Sequence, residues 1–135
     1  MKLVHALSLA AVLASPASAQ AGPPAGWPKD WPAHSPALIE KGKAVYKVNC
    51  EMCHGEKGDG KGPAGIALQP PPRTYANVKE YKNGAKPADI FKTISEGLAG
   101  TAMASFAHIP EEDRKALAAF VVTFQKGTGS KPKKK

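Results

Sequence analysis

Cys50-Glu51-Met52-Cys53-His54 decides the reading of this chain. The order C-x-x-C-H is that of a c-type haem attachment site. Two thiols three positions apart can each add to a vinyl group on one edge of a porphyrin. The histidine that follows is then held under the ring and can bind the iron as its proximal ligand. The chain has two cysteines in all, so no other thiol competes for the role. Three other readings of the pair stand beside this one. A disulfide is open to an exported protein. A thioredoxin-like redox pair needs a preceding strand and a βαβ pattern, whereas the sequence before Cys50 is helical in pattern. A structural zinc site needs four ligands, and His34 and His108 lack finger spacing.

Residues 1–19 read as a secretory signal peptide. Lys2 and His5 form a basic start, Leu7 to Leu13 an apolar run, and Ala17-Ser18-Ala19 an A-x-A cleavage site. The apolar run is too short to span a bilayer, for which about 20 residues are needed. The expected location is the periplasm, with cleavage after about Ala19 and no transmembrane segment in the mature chain. What remains of the 135 residues is the size of one domain. A chain this small buries a modest core of its own, and a covalently held haem would supply an apolar centre. The net charge of +8 favours acidic partners or anionic surfaces. Nucleic acid is excluded as a partner, because the chain reads as exported and carries no nucleic-acid fold signature.

Outward from the motif, the elements expected are all helical. Ser35-Pro36 reads as N-cap and first residue of a helix that runs into Cys50, with Leu38, Gly42, Val45, Tyr46 and Asn49 at helical spacing. Residues 55–73 form a Gly- and Pro-rich loop, long enough to wrap one face of the haem. A short helix is expected over 74–83, carrying Tyr75 and Tyr81. Another starts at Pro87, with Pro87, Ile90, Phe91 and Ile94 on one face, and ends at Gly97. The last starts near Pro110, with Glu111, Glu112 and Asp113 in its first turn. Its apolar stripe is Leu117, Phe120, Val121 and Phe124, and Gly127 is its expected C-cap. Residues 20–35 are an arm in which Trp27-Pro28 and Trp31-Pro32 repeat a dipeptide. Its tryptophans are expected to strap onto the body. Residues 128–135 are a basic flexible tail, and 36–127 is the domain.

Of three methionines, Met1 leaves with the signal and Met52 points away from the iron. Met103 sits in a Gly-rich loop between two helices and is the candidate thioether ligand. His108 or His34 is the alternative that would give two histidine ligands.

Residues 36–126 resemble the class I cytochromes c, the small monohaem carriers of bacterial periplasms. The likeness rests on Gly42 and Tyr46 in the first helix, Cys50-x-x-Cys53-His54-Gly55, the Gly/Pro loop, and Ile94-Ser95-Glu96-Gly97-Leu98-Ala99-Gly100-Thr101-Ala102-Met103. A final helix with Leu117 and Phe120 completes it. The resemblance implies an all-α cytochrome c fold of about four helices, in which first and last cross where Gly42 approaches Phe120. It implies one covalent haem c, with thioethers at Cys50 and Cys53 and His54 and Met103 as axial ligands to the iron. It implies that a proline carbonyl in the following loop accepts from the ligating histidine, and Pro63 is the candidate here. Ala104 stands where many relatives have proline. The function implied is one-electron carriage by a protein that is not itself an enzyme. Its donor and acceptor would be redox proteins with acidic docking surfaces, and the chain a monomer or loosely associated. Lys57, Lys61, Lys79, Lys82, Lys86 and Lys92 are expected to ring the exposed haem edge. The alternative is a haem c relay subunit of a periplasmic dehydrogenase or oxidase complex. A haem enzyme or sensor with a labile Met103 is a third reading.

Overall fold

The computed structural model describes residues 22–125. The expected signal peptide, Gly127 and the basic tail lie outside the described residues. Four α-helices follow one another: α1 Pro36–Asn49, α2 Glu51–His54, α3 Pro87–Glu96 and α4 Glu111–Val122. Two single 3-10 turns, Gly65–Ala67 and Val78–Glu80, interrupt the long loop between α2 and α3. No strand occurs among the described residues. The fold is all-α, as the sequence suggests.

The helix starts follow their capping chemistry. Ser35 is extended, and its hydroxyl accepts from the Leu38 N–H at 3.2 Å, while Pro36 fills a position whose missing N–H costs nothing. Asp89 Oδ2 accepts from the Lys86 N–H at 3.2 Å, which closes the first turn of α3 behind Pro87. Three acidic residues occupy the first turn of α4, where the helix dipole favours negative charge. That helix ends at Val122 with Thr123 as its cap, short of Gly127. Phe124 therefore lies just beyond the helix rather than on its stripe.

The 74–83 helix does not form. Asn77 accepts from the Lys79 N–H at 3.3 Å and donates to Glu80 Oε1 at 2.7 Å, so its side chain closes a local turn instead. Tyr75 and Tyr81 flank the resulting 3-10 turn, and the Tyr81 hydroxyl donates to Tyr75 O at 3.1 Å.

Helices α1 and α4 cross at Gly42. A Cβ there would overlap the Ala116 carbonyl and lie 2.9 Å from Phe120 Cβ. Both obstacles belong to a packed helix, so the helices would have to part. Gly42→Ala gains about 1 kcal/mol of helix propensity but is expected to lose more by overpacking, typically about 1–3 kcal/mol. A net loss of about 2 kcal/mol at the top of that range would lower the urea midpoint of the holoprotein. An unchanged midpoint would show that the crossing is looser than the geometry has it. Lys41 Nζ and Asp113 Oδ1, 2.7 Å apart, bridge the same pair of helices at the surface, where such pairs contribute little.

The core joins Tyr46 of α1, Ile90 and Ile94 of α3, Leu117, Ala118, Val121 and Val122 of α4, and Tyr75 from the loop. The buried Gln125 amide donates to Ala85 O at 2.8 Å and ties the end of α4 to the start of α3. The arm folds back as the sequence suggests. Trp31 meets Phe91 edge to face at 5.5 Å, Trp27 meets Trp31 at 5.3 Å, and the Trp27 indole donates to Pro32 O at 3.1 Å.

Candidate functional site

The last turn of α1 delivers Cys50, which serves as that helix's C-cap with its N–H on Tyr46 O at 2.8 Å. The single turn of α2 follows at once. Cys53 N–H and His54 N–H both donate to Cys50 O, at 3.1 and 2.9 Å, so the two thiols and the imidazole share one tight curl of backbone. Both cysteines are free thiols. Met52, between them, faces outward and is largely exposed. Among the described residues no three His, Cys, Asp or Glu side chains cluster, which leaves the zinc reading without a ligand set.

The curl is pinned from two sides. The buried Tyr46 hydroxyl donates to Gly55 O at 2.6 Å, fixing the residue after His54. Tyr75 stacks on the His54 ring with centroids 4.8 Å apart and planes 19° apart. Phe124 and Tyr46 close behind Tyr75, so the imidazole plane is set by a column of aromatic rings. Burial lowers the His54 pKa to about 4, and the positive charge of Arg73 adds to the effect. The ring is therefore neutral at physiological pH, the form that ligates a metal. Burial also raises the Cys50 pKa to about 12, with the neighbouring Cys53 adding to it.

His54 Nδ1 is buried and has no hydrogen-bond partner. The bond expected from it to Pro63 is not formed. The loop after α2 is tied to the outside of the motif, with Gly62 N–H on Cys53 O at 3.2 Å and Ala64 N–H on Met52 O at 2.9 Å. This turn holds Pro63 at the surface, exposed, away from the residues that line the cavity described next.

Cys50, Cys53 and His54 line one side of a cavity of about 230 Å³. Leu68, Ile94, Leu98, Phe106, Leu117 and Val121 give it apolar walls, and Pro70 to Pro72 close it from the loop. Met103, half-buried, lines the same cavity from the loop between α3 and α4. Gly97 makes that loop possible. Its φ is +77°, and a Cβ there would lie 2.7 Å from Met103 O, so only glycine lets the loop turn back over the helix end. His108 is exposed beside Phe106, and His34 packs against Trp27 in the arm. Neither lines the cavity.

Two cations stand among the lining residues, Arg73 and Lys82. Arg73 went unnoticed in the sequence, although it directly follows the Pro70-Pro71-Pro72 run. Its Nη1 donates to Glu80 O at 2.9 Å and its guanidinium lies 5.2 Å from the Tyr81 ring centroid. Of the six lysines expected to ring a haem edge, Lys82 alone lines the cavity. Lys57, Lys61, Lys79, Lys86 and Lys92 are exposed elsewhere, and the Lys86 stem lies against Gly26 of the arm.

Residues 37–121 match the family model described as cytochrome c oxidase, cbb3-type, subunit III. The chain belongs to that family. It is 35% identical over 85 residues to the cbb3-type cytochrome c oxidase subunit CcoP of Azospirillum brasilense, covering 63% of this chain and 28% of that protein. The CcoP subunit of Azospirillum sp. (strain B510) is 33% identical over 84 residues, covering 62% and 27%. The chain thus spans just over a quarter of the length of these curated relatives. Among solved structures, a chain of the Kuenenia stuttgartiensis reducing HAO-like protein complex superposes with a TM-score of 0.63 at 29% identity. That match covers 70% of this chain and 47% of the other.

Membership of this cytochrome family makes covalently bound haem c, with its iron, the cofactor of the chain. The residues present fit it. Two free thiols and a neutral imidazole with an unpartnered ring nitrogen meet at one wall of an apolar cavity, and a thioether reaches the same cavity from a separate loop. No helix among the described residues is long and apolar enough to cross a membrane.

Proposed function

We propose that this chain is a periplasmic one-electron carrier with a single haem c, held by thioethers at Cys50 and Cys53 and ligated by His54 and Met103. The observation that carries this reading is the convergence of all four side chains on one cavity. The haem supplies a reversible one-electron couple at its iron. The protein's residues do the rest. Tyr75 fixes the plane of His54, and the Gly97 turn sets Met103 on the cavity. The apolar walls keep water from the redox centre, which tunes its potential. With His54 and Met103 both holding the iron, no coordination site would be left for a substrate, and the protein would move electrons without making bonds. Methionine ligation raises the potential relative to nitrogen ligation.

The domain that does this is residues 36–127, exported by the leader at 1–19. Its basic surface suits acidic redox partners, with Lys82 and Arg73 at the cavity as the cations nearest the cofactor.

The test is a redox titration of the native holoprotein with carbon monoxide added to the reduced form. One reversible one-electron wave is expected, with no carbon monoxide adduct at neutral pH. An adduct forming at neutral pH would overturn the reading in favour of a haem enzyme or sensor with an open iron.

A second reading has its own support. The relatives are named as oxidase subunits, and the solved neighbour is part of a complex. The chain would then be a fixed relay in a larger assembly, with the Trp27/Trp31 arm as its strap. A stoichiometric catalytic subunit that stays bound through purification at high ionic strength decides for the relay. A partner lost as salt screens the charges decides for the shuttle.

A further inference from the structure

The loop from Gly97 to Pro110 carries Met103 and contains no helix or strand of its own. Its internal bonds give it a shape. Leu98 N–H donates to Met103 O at 3.0 Å, and Met103 N–H donates to Thr101 Oγ1 at 3.1 Å. These bonds do not attach the loop to the body, and glycines with positive φ at 97 and 100 let its first half pivot.

The attachment comes from the second half. Phe106 N–H donates to Ile94 O at 2.9 Å, and Ser105 Oγ donates to Ser95 O at 2.6 Å. Both acceptors are carbonyls of the last turn of α3, which have no partner within the helix. Ser95 is then gripped from α4. Arg114 Nη1 donates to Ser95 Oγ, and Arg114 Nε donates to Ile109 O at 2.9 Å. The guanidinium also sits 5.1 Å from the Phe91 ring centroid. One side chain of α4 thus holds the end of the Met103 loop and the helix turn on which that loop hangs. The ion pairs among the described residues involve Lys41 and Lys115; the side-chain hydrogen bonds of Arg114 go to this neutral cluster, while its charge also reaches the Glu111 carboxylate one turn earlier. A rigid fork with donors in two directions suits that task, and a lysine does not.

We propose that Arg114, acting through Ser95 and Ser105, is a latch that positions the Met103 loop over the haem. It is a positioning residue: it lies outside the cavity lining and sets how often Met103 leaves its place. This inference rests on the reading of Met103 as the sixth ligand.

The probe is imidazole, added to the ferric holoprotein. Imidazole binds the iron only after the methionine sulfur departs, so its association rate reports loop opening. Arg114→Gln removes the charged donors to Ile109 O and Ser95 Oγ and is expected to raise that rate about tenfold. The long-wavelength sulfur–iron band should still be present before imidazole is added. Arg114→Lys should fail to restore the wild-type rate. Ser105→Ala, at an exposed loop residue that does not threaten folding, should raise the rate in the same direction by a smaller factor. Lys41→Gln cuts the α1–α4 ion pair without touching the loop and should leave the rate unchanged. Wild-type rates in both Arg114→Gln and Ser105→Ala would overturn the latch. So would an equal rise in Lys41→Gln, which would mean general loosening. A wild-type protein without the sulfur–iron band would instead overturn the ligand reading on which the latch rests.

Discussion

Replacing Cys50 and Cys53 together by alanine is expected to change a protein that keeps its haem through acid–organic extraction into one that loses all of it. In the proposed ligation the two thioethers would be the covalent hold, and His54 and Met103 would coordinate the iron through bonds that acid breaks. Each single variant keeps one thioether and is expected to retain haem at reduced yield. The loss reaches the fold as well. The cavity bounded by Ile94, Leu117, Val121 and the motif measures about 230 Å³. Without haem those apolar walls would face water, and each large apolar side chain left exposed forfeits about 1.5–3 kcal/mol. Domains are stable by about 5–15 kcal/mol in total. The haem-free double variant should therefore be largely unfolded at 37 °C, with far-UV circular dichroism well below that of the holoprotein. Haem that extracts completely from the wild type would remove the basis of the covalent reading. A double variant that stays helical without haem would show that the protein core alone holds the helices.

Much of this architecture is legible in the sequence because the signals are local. Ser35-Pro36 caps a helix through its own hydroxyl and its neighbour's ring, and Pro87 and Gly97 mark the ends of α3 without help from the rest of the chain. The C-x-x-C-H curl is also local, closed by backbone bonds to Cys50 O. What the sequence hides is decided by contact between distant segments. Tyr75 reads as a helix residue, yet it is the plate on which His54 stacks. Its place follows from Tyr46, Phe124 and Gly58 closing round it. Arg73 reads as one basic residue among many, and its role at the cavity appears only when the proline run folds back over the motif. Pro63 fails for the same reason. Hydrogen bonds from Gly62 and Ala64 to the backbone of the motif, rather than the order of prolines in the loop, determine which face it takes. The lysines fare likewise, since Lys82 reaches the cavity while Lys86 turns toward the arm.

Met103→Ala is expected to remove the long-wavelength sulfur–iron band of the ferric protein and to lower the reduction potential by roughly 0.1–0.3 V, a fraction of the ~0.8 V window over which axial ligands set haem potentials. The direction follows from the ligand. A thioether favours the ferrous state relative to the water or nitrogen donor that would replace it. The reduced variant should also bind carbon monoxide at neutral pH, because the truncated side chain no longer fills its side of the cavity. The fold should survive this change better than the loss of the cysteines. Met103 is half-buried, and the loop keeps its backbone bonds to Leu98 and to the end of α3. Spectrum and potential should therefore move while the circular dichroism stays close to wild type. A wild-type protein that lacks the band, with a spectrum that Met103→Ala leaves unchanged, would transfer the sixth position to a histidine. His108 would then have to swing in from the surface beside Phe106, or His34 from its place against Trp27, and the loop that Gly97 turns over α3 would have no ligand to deliver.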